Sequence, residues 1–140
     1  YRNGEQLKDN IYQIKLINSP KQKIVYTLLK ELNERPEIYT SLENKTLKLK
    51  KGIVDVLSTK NIPFVVNQLG SMISIFFSET PVTDFASAAK SDMNRFNSLF
   101  HQLLKKGIYL PPSGYESWFL NDALTDQDIQ DTIQAIDDSL

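Results

Sequence analysis

Gly107–Leu120 reads GIYLPPSGYESWFL, and Gly70–Ser78 reads GSMISIFFS. In the second stretch, Met72–Phe77 is apolar apart from Ser74 and rich in β-branched and aromatic residues. That is the composition of a strand covered on both faces, or nearly so. In the first stretch, Ile108–Leu110 is expected to form a short strand, Pro111-Pro112 to end it, and Ser117–Leu120 to form another. Phe64–Val66 opens a further strand. Gly70 permits a bend or bulge before Met72, so these two segments are expected to pair as antiparallel neighbours.

Helices are expected on both sides of these strands. Ser19-Pro20 is a helix start, because Ser can cap free N–H groups and Pro fits the first helical position. Ile24, Val25, Leu28, Leu29 and Leu32 follow at helical spacing, and Pro36 stops the helix. A second helix is expected from about Pro36 to Ser58, with Tyr39, Leu42, Thr46, Leu49, Ile53 and Val56 along one stripe. Gly52 weakens it by about 1 kcal/mol relative to Ala. Asp84–Ala89 is expected to be a short helical piece. Ser91 or Asp92 then caps a helix carrying Phe96, Leu99, Phe100, Leu103 and Leu104, which Gly107 terminates. Thr125 caps the last helix, with Asp126 and Asp128 in its first turn and Ile129, Ile133, Ile136 and Leu140 on one face. Residues 1–18 form a lead-in in which a short strand fits. The fold class expected is α+β: a small, mostly antiparallel sheet of three to four strands covered by helices.

A chain of 140 residues is long enough for one domain with a substantial core. Its net charge of −1 gives no field that would draw it to nucleic acid or an anionic membrane. There is no cysteine, which removes disulfides, thiolate metal sites and cysteine nucleophiles and is compatible with a reducing cytoplasm. No run has the length of a membrane span. The crowd of Lys45, Lys48, Lys50 and Lys51 reads as a solvated helix face, since neither arginines nor aromatics interleave with it. The chain opens on Tyr1 rather than Met, as expected of a segment starting inside a longer polypeptide.

His101 is the sole histidine and lies off the apolar stripe of its helix, so it builds neither a zinc site nor a serine-hydrolase base. The five glycines are too scattered to cradle a phosphate. Asp126, Asp128, Asp131, Asp137 and Asp138 lack the glycine and terminal glutamate of a calcium loop. Glu116, set between Tyr115 and Trp118-Phe119, is the one candidate site residue. It is either a solvent-facing carboxylate or a group held in a cleft, where an apolar setting would raise its pKa.

Four stretches together resemble the C-terminal domain of the glutamate-1-semialdehyde 2,1-aminomutases, pyridoxal-phosphate enzymes of the class-III aminotransferase group. They are NQLGSMISIFF at 67–77, PVTDFASAAKSDMNRF at 81–96, GIYLPPSGYESWFL at 107–120 and TDQDIQDTIQAI at 125–136. The resemblance runs from about Ser19 to Leu140. It implies the small domain of a fold type I enzyme at 19–140, and a substrate-cleft position for Glu116, which matches the acidic residue of the family's PS-x-(Phe/Tyr)-E motif. Asn121 and Leu124 stand where the family commonly has Ser and His. YQIKLINSP at 12–20 replaces a glycine- and threonine-containing stretch that helps hold cofactor phosphate across the dimer.

The Schiff-base lysine belongs to the large domain, and no lysine here matches it. The resemblance therefore implies pyridoxal phosphate in the parent enzyme, none bound to this chain alone, and no catalysis by the chain alone. The implied partners are the missing cofactor domain and a second subunit of a cytoplasmic homodimer. Nucleic acid and membranes are not implied partners. A severed domain would expose an apolar patch and could self-associate through it. The alternative is a free-standing, non-catalytic binding module of the same fold, which would present a polar surface there.

Overall fold

A computed structural model describes residues 5–7, 11–13 and 20–140, with 5–7, 11–13 and 20–22 described by their backbone alone. The chain divides into two compact units, Tyr1–Ile38 and Tyr39–Leu140.

In the first unit, β1 (Glu5–Leu7) pairs antiparallel with β2 (Ile11–Gln13). Helix α1 spans Pro20–Glu34 and ends before Pro36, as expected. The cap expected from Ser19 lies outside the described residues. Arg35 donates to Glu31 at 3.1 Å and to Glu37 at 3.2 Å. These bonds hold its guanidinium pKa above the ordinary value. The apolar stripe of α1 is exposed. Ile24, Val25, Leu28 and Leu29 are 46–69% exposed. Helical spacing shows that a helix has an apolar face but does not itself supply a surface to cover that face.

Helix α2 (Glu37–Thr59) leads into the second unit. Leu49, Ile53 and Leu57 are buried, but Tyr39, expected on the same stripe, is 58% exposed. Thr46 is fully buried, and its hydroxyl donates to the Leu42 carbonyl one turn earlier at 2.8 Å. Of the lysines on this helix, Lys45 donates to the Asp122 carbonyl at 2.6 Å and carboxylate at 3.0 Å. Lys48 pairs with Asp126 at 2.8 Å. Two of the four lysines thus tie α2 to the segment that opens the last helix.

Three strands follow: β3 (Val65–Leu69), β4 (Met72–Phe76) and β5 (Trp118–Phe119). They form one antiparallel sheet in the order β3-β4-β5. The turn between β3 and β4 is Gly70-Ser71, with Gly70 at φ 55, a conformation that costs glycine little. Helices α3 (Phe85–Ala88), α4 (Met93–Lys105) and α5 (Asp126–Asp137) complete the α+β unit. One face of the sheet, carrying Ile73, Ile75 and Trp118, packs with Leu49, Ile53 and Leu57 of α2, Phe96, Leu99 and Leu103 of α4, and Ile129 and Ile136 of α5. Truncating a fully buried residue such as Leu103 to Ala would cost about 2–5 kcal/mol.

The expected strand at Ile108–Leu110 does not form. Gly107, at φ 82, lets the chain wrap back on α4. The Gly107 N–H donates to Leu104 and the Ile108 N–H to Leu103, at 3.0 and 2.9 Å. These bonds close the helix end in a Schellman motif and take the Ile108 N–H away from any ladder. Leu110 then buries into the core instead. Asp92 caps α4 by accepting from the Arg95 N–H at 2.9 Å, whereas Ser91 is buried and its hydroxyl has no hydrogen-bond partner among the described residues. Thr125 caps α5 in a reciprocal box with Asp128. These bonds hold the Asp128 carboxyl below its ordinary pKa.

Candidate functional site

Glu116 is placed by the loop that joins Pro111-Pro112 to β5, and three anchors hold this loop. Gly114 presses against α4 so closely that an added Cβ would lie 2.9 Å from Met93 Sδ and 3.1 Å from Phe96 Cγ. Tyr115 meets Phe85, the first residue of α3, with ring centroids 5.5 Å apart. Ser117 and Ser74 of β4 share a half-buried hydroxyl–hydroxyl hydrogen bond of 2.8 Å. Within the loop, the Glu116 N–H donates to the Ser113 carbonyl at 3.1 Å and the Tyr115 N–H to the Ser113 hydroxyl at 3.2 Å. Glu116 itself is exposed.

Its side chain lines an open groove of about 560 Å³ with Tyr109, Pro111, Pro112, Ser117 and Phe119. Tyr109 and Phe119 are about 70% exposed. A second groove adjoins it across Ser117 and includes Asn67, Ser74, Asp84 and Phe85. The Ser87 hydroxyl holds the Asp84 carboxyl below its ordinary pKa. A carboxylate standing among apolar and aromatic walls can accept hydrogen bonds from a ligand or face a cationic group.

The other sequence candidates lie elsewhere. His101 is exposed and meets Phe100 edge-on, at 5.4 Å. Asn121 accepts from the Ala123 N–H at 3.0 Å in a local turn, and Leu124 packs on the core. Among the described residues, no group of three His, Asp or Glu side chains could hold a metal. Also among them, no helix is long and apolar enough to cross a membrane.

The residues of these grooves do not fit pyridoxal phosphate by themselves. No lysine or arginine lines either groove, so neither a phosphate clamp nor an amine for the aldehyde is at hand. A third groove, near α5, contains Lys106, but its ammonium is committed to Asp138 at 3.2 Å and the Ala135 carbonyl at 3.4 Å.

No family model matches the chain. Over 112 residues it is 51% identical to glutamate-1-semialdehyde 2,1-aminomutase of Flavobacterium johnsoniae, covering 80% of this chain and 26% of that protein. The chain is homologous to a segment of the glutamate-1-semialdehyde 2,1-aminomutases. The Thermus thermophilus aminomutase is 42% identical over 112 residues, with the same shares. The chain spans about a quarter of the length of these relatives. That share is consistent with a C-terminal domain of such an enzyme.

The fold agrees. A crystal structure described as a glutamate-1-semialdehyde-aminomutase from Pseudomonas aeruginosa superposes with a TM-score of 0.75 at 16% identity, covering 99% of this chain and 31% of that one. An omega-transaminase from Sphaerobacter thermophilus gives a TM-score of 0.66 at 19% identity, covering 81% and 26%. Related structures include a transaminase with PLP bound and the Pseudomonas aminomutase in complex with PMP.

Sequence reasoning missed the two serines beside Glu116. Their signal was present, since Ser74 is the single polar residue in the apolar run of β4.

Proposed function

We propose that residues 19–140 are the C-terminal small domain of a pyridoxal-phosphate-dependent aminomutase, with residues 1–18 as the lead-in from its cofactor domain. The whole enzyme would convert glutamate-1-semialdehyde to 5-aminolevulinate for tetrapyrrole synthesis, as a cytoplasmic homodimer. The observation that carries this reading is 51% identity to a named aminomutase across 80% of the chain. Bound in the parent enzyme, the cofactor supplies an electron sink for moving the amino group. This chain is proposed to hold none alone.

Its part in the enzyme is to close one wall of the substrate cleft, with Glu116 as the group that meets the substrate. A carboxylate there complements the substrate's amino group. The exposed Phe85, Tyr109, Tyr115 and Phe119 near Glu116 support a surface meant to be covered by the cofactor domain. A free-standing module would be expected to present polar side chains at those positions. Left without its partner domain, the chain would self-associate through this face.

The test is the intact mass and absorbance of the native polypeptide from its source cells. A chain about three times as long, carrying pyridoxal phosphate, is expected, since the 112 matched residues make up 26% of the relative. A native product near 140 residues, without cofactor, would overturn the enzyme reading.

A further inference from the structure

The geometry points to the Ser74–Ser117 hydroxyl pair as a positioning clip for Glu116, an inference that rests on the cleft-wall role proposed above. In the ladder between β4 and β5, Met72 faces Phe119 and Ile73 faces Trp118, and there the backbone pairing ends. The next residues in this register are Ser74 and Ser117. Their side chains join at 2.8 Å in place of a further backbone pair. The sheet is thus extended by one residue through a side-chain bond, and Glu116 is the first residue beyond it.

The bond bridges residues 43 apart in sequence and is half-buried, so little else can substitute for it. On the other side of Glu116, Gly114 and Tyr115 are already fixed against Met93 and Phe85. Ser117 completes the clamp. Ser117 also lines both grooves, and Ser74 the second, so the clip sits at the site rather than behind it. Ser74 and Ser117 are positioning residues and need not touch the substrate.

The experiment uses the full polypeptide that contains this domain, with glutamate-1-semialdehyde as the probe. The variants are Glu116→Gln, Ser74→Ala, Ser117→Ala, Ser117→Thr, and each alanine variant combined with Glu116→Gln. Ser74→Ala and Ser117→Ala are each expected to lower kcat by the same factor, about two- to tenfold, the worth of one hydrogen bond. In the Glu116→Gln background they should cause no further loss, and Ser117→Thr should restore the rate. Losses of equal size in both backgrounds, or no loss from either alanine, would overturn the clip while leaving the role of Glu116 standing. If Glu116→Gln alone leaves kcat and KM unchanged, the cleft role fails, and the clip with it. Amide hydrogen exchange on the same full polypeptide gives a readout independent of activity. Ser74→Ala should speed exchange at 116–118 and leave α4 protected, and faster exchange throughout would overturn a local clip.

Discussion

Gly52→Ala tests the packing of α2 on α5, because two effects of opposite sign meet at one atom. In an isolated helix the change would stabilise by about 1 kcal/mol, since Ala has the better helix propensity. In this fold, an added Cβ would lie 2.6 Å from Ile133 Cγ1 and 2.9 Å from Cγ2. Ordinary carbon contacts fall at about 3.5–4.0 Å. Both branches of the isoleucine lie inside that limit, so rotation about χ1 moves one away only by bringing the other in. Relief requires α5 to shift, and overpacking of this kind costs about 1–3 kcal/mol.

Contacts this short put the cost in the upper part of that range, about 2–3 kcal/mol, so the clash outweighs the propensity gain and the expected net loss is about 1–2 kcal/mol. In urea denaturation the midpoint should fall, and in a thermal scan Tm should drop by about 3–6 °C. In an Ile133→Ala background the clash is absent, so Gly52→Ala should stabilise by about 1 kcal/mol and reveal the coupling directly. Stabilisation by Gly52→Ala in the otherwise unchanged chain would refute the close approach of the two helices.

The remaining predictions concern polar groups. Lys45→Ala should cost roughly 0.5–1.5 kcal/mol, because the Lys45 side chain is only 17% exposed in its pair with Asp122. Lys48→Ala, whose pair with Asp126 is more than half exposed on both sides, should cost under about 0.5 kcal/mol and lose that in high salt. Equal costs in urea titrations would contradict this ordering. Ser91→Ala should be neutral or stabilising by up to about 1 kcal/mol, since it removes a buried hydroxyl that has no hydrogen-bond partner among the described residues. A loss larger than that would reveal an internal water bound there. Acid should destabilise the fold through Asp84 and Asp128, whose folded pKa values lie below the ordinary 3.8 owing to the bonds from Ser87 and Thr125. Their stabilisation is present above the unfolded pKa and is lost as pH falls through the lower folded values. Tm should therefore decline below about pH 4, and Asp128→Asn should lower Tm at neutral pH while flattening that decline.

Much of the fold was legible because local chemistry and tertiary packing agree. The periodicity of Phe96, Leu99 and Leu103 marked the buried face of α4, and Thr125 with Asp128 marked the start of α5. The Ile108–Leu110 run was misleading because an apolar tripeptide after a helix can bury by wrapping over the helix end as readily as by joining a sheet. Gly107 in the left-handed conformation decided between the two. Gly52 was counted only as a propensity cost, because a residue across the fold, Ile133, supplies its reason. The stripe on α1 has the same spacing as that on α4 and yet is exposed. Spacing describes one surface, and burial depends on two.

At the candidate site, only Glu116 was legible. A carboxylate between aromatics stands out in a sequence, whereas the residues that hold it are ordinary in theirs. A glutamate serving only solubility has no need of a fixed backbone, because a charge on a mobile loop is hydrated equally well. Glu116 instead follows a buried glycine pressed on α4 and a tyrosine against α3, and it precedes a serine bonded to the central strand. Holding three anchors within four residues costs conformational entropy, about 1–2 kcal/mol for each backbone residue ordered. Some of that cost would be repaid without any ligand, through the packing of Gly114 and Tyr115. Ser117 is different. Its half-buried bond to Ser74 has a modest net worth in folding, about 0.5–1.5 kcal/mol, and it fixes where the preceding carboxylate stands. A preorganised carboxylate has less freedom to lose when a substrate arrives, and that supports the cleft-wall role proposed for Glu116.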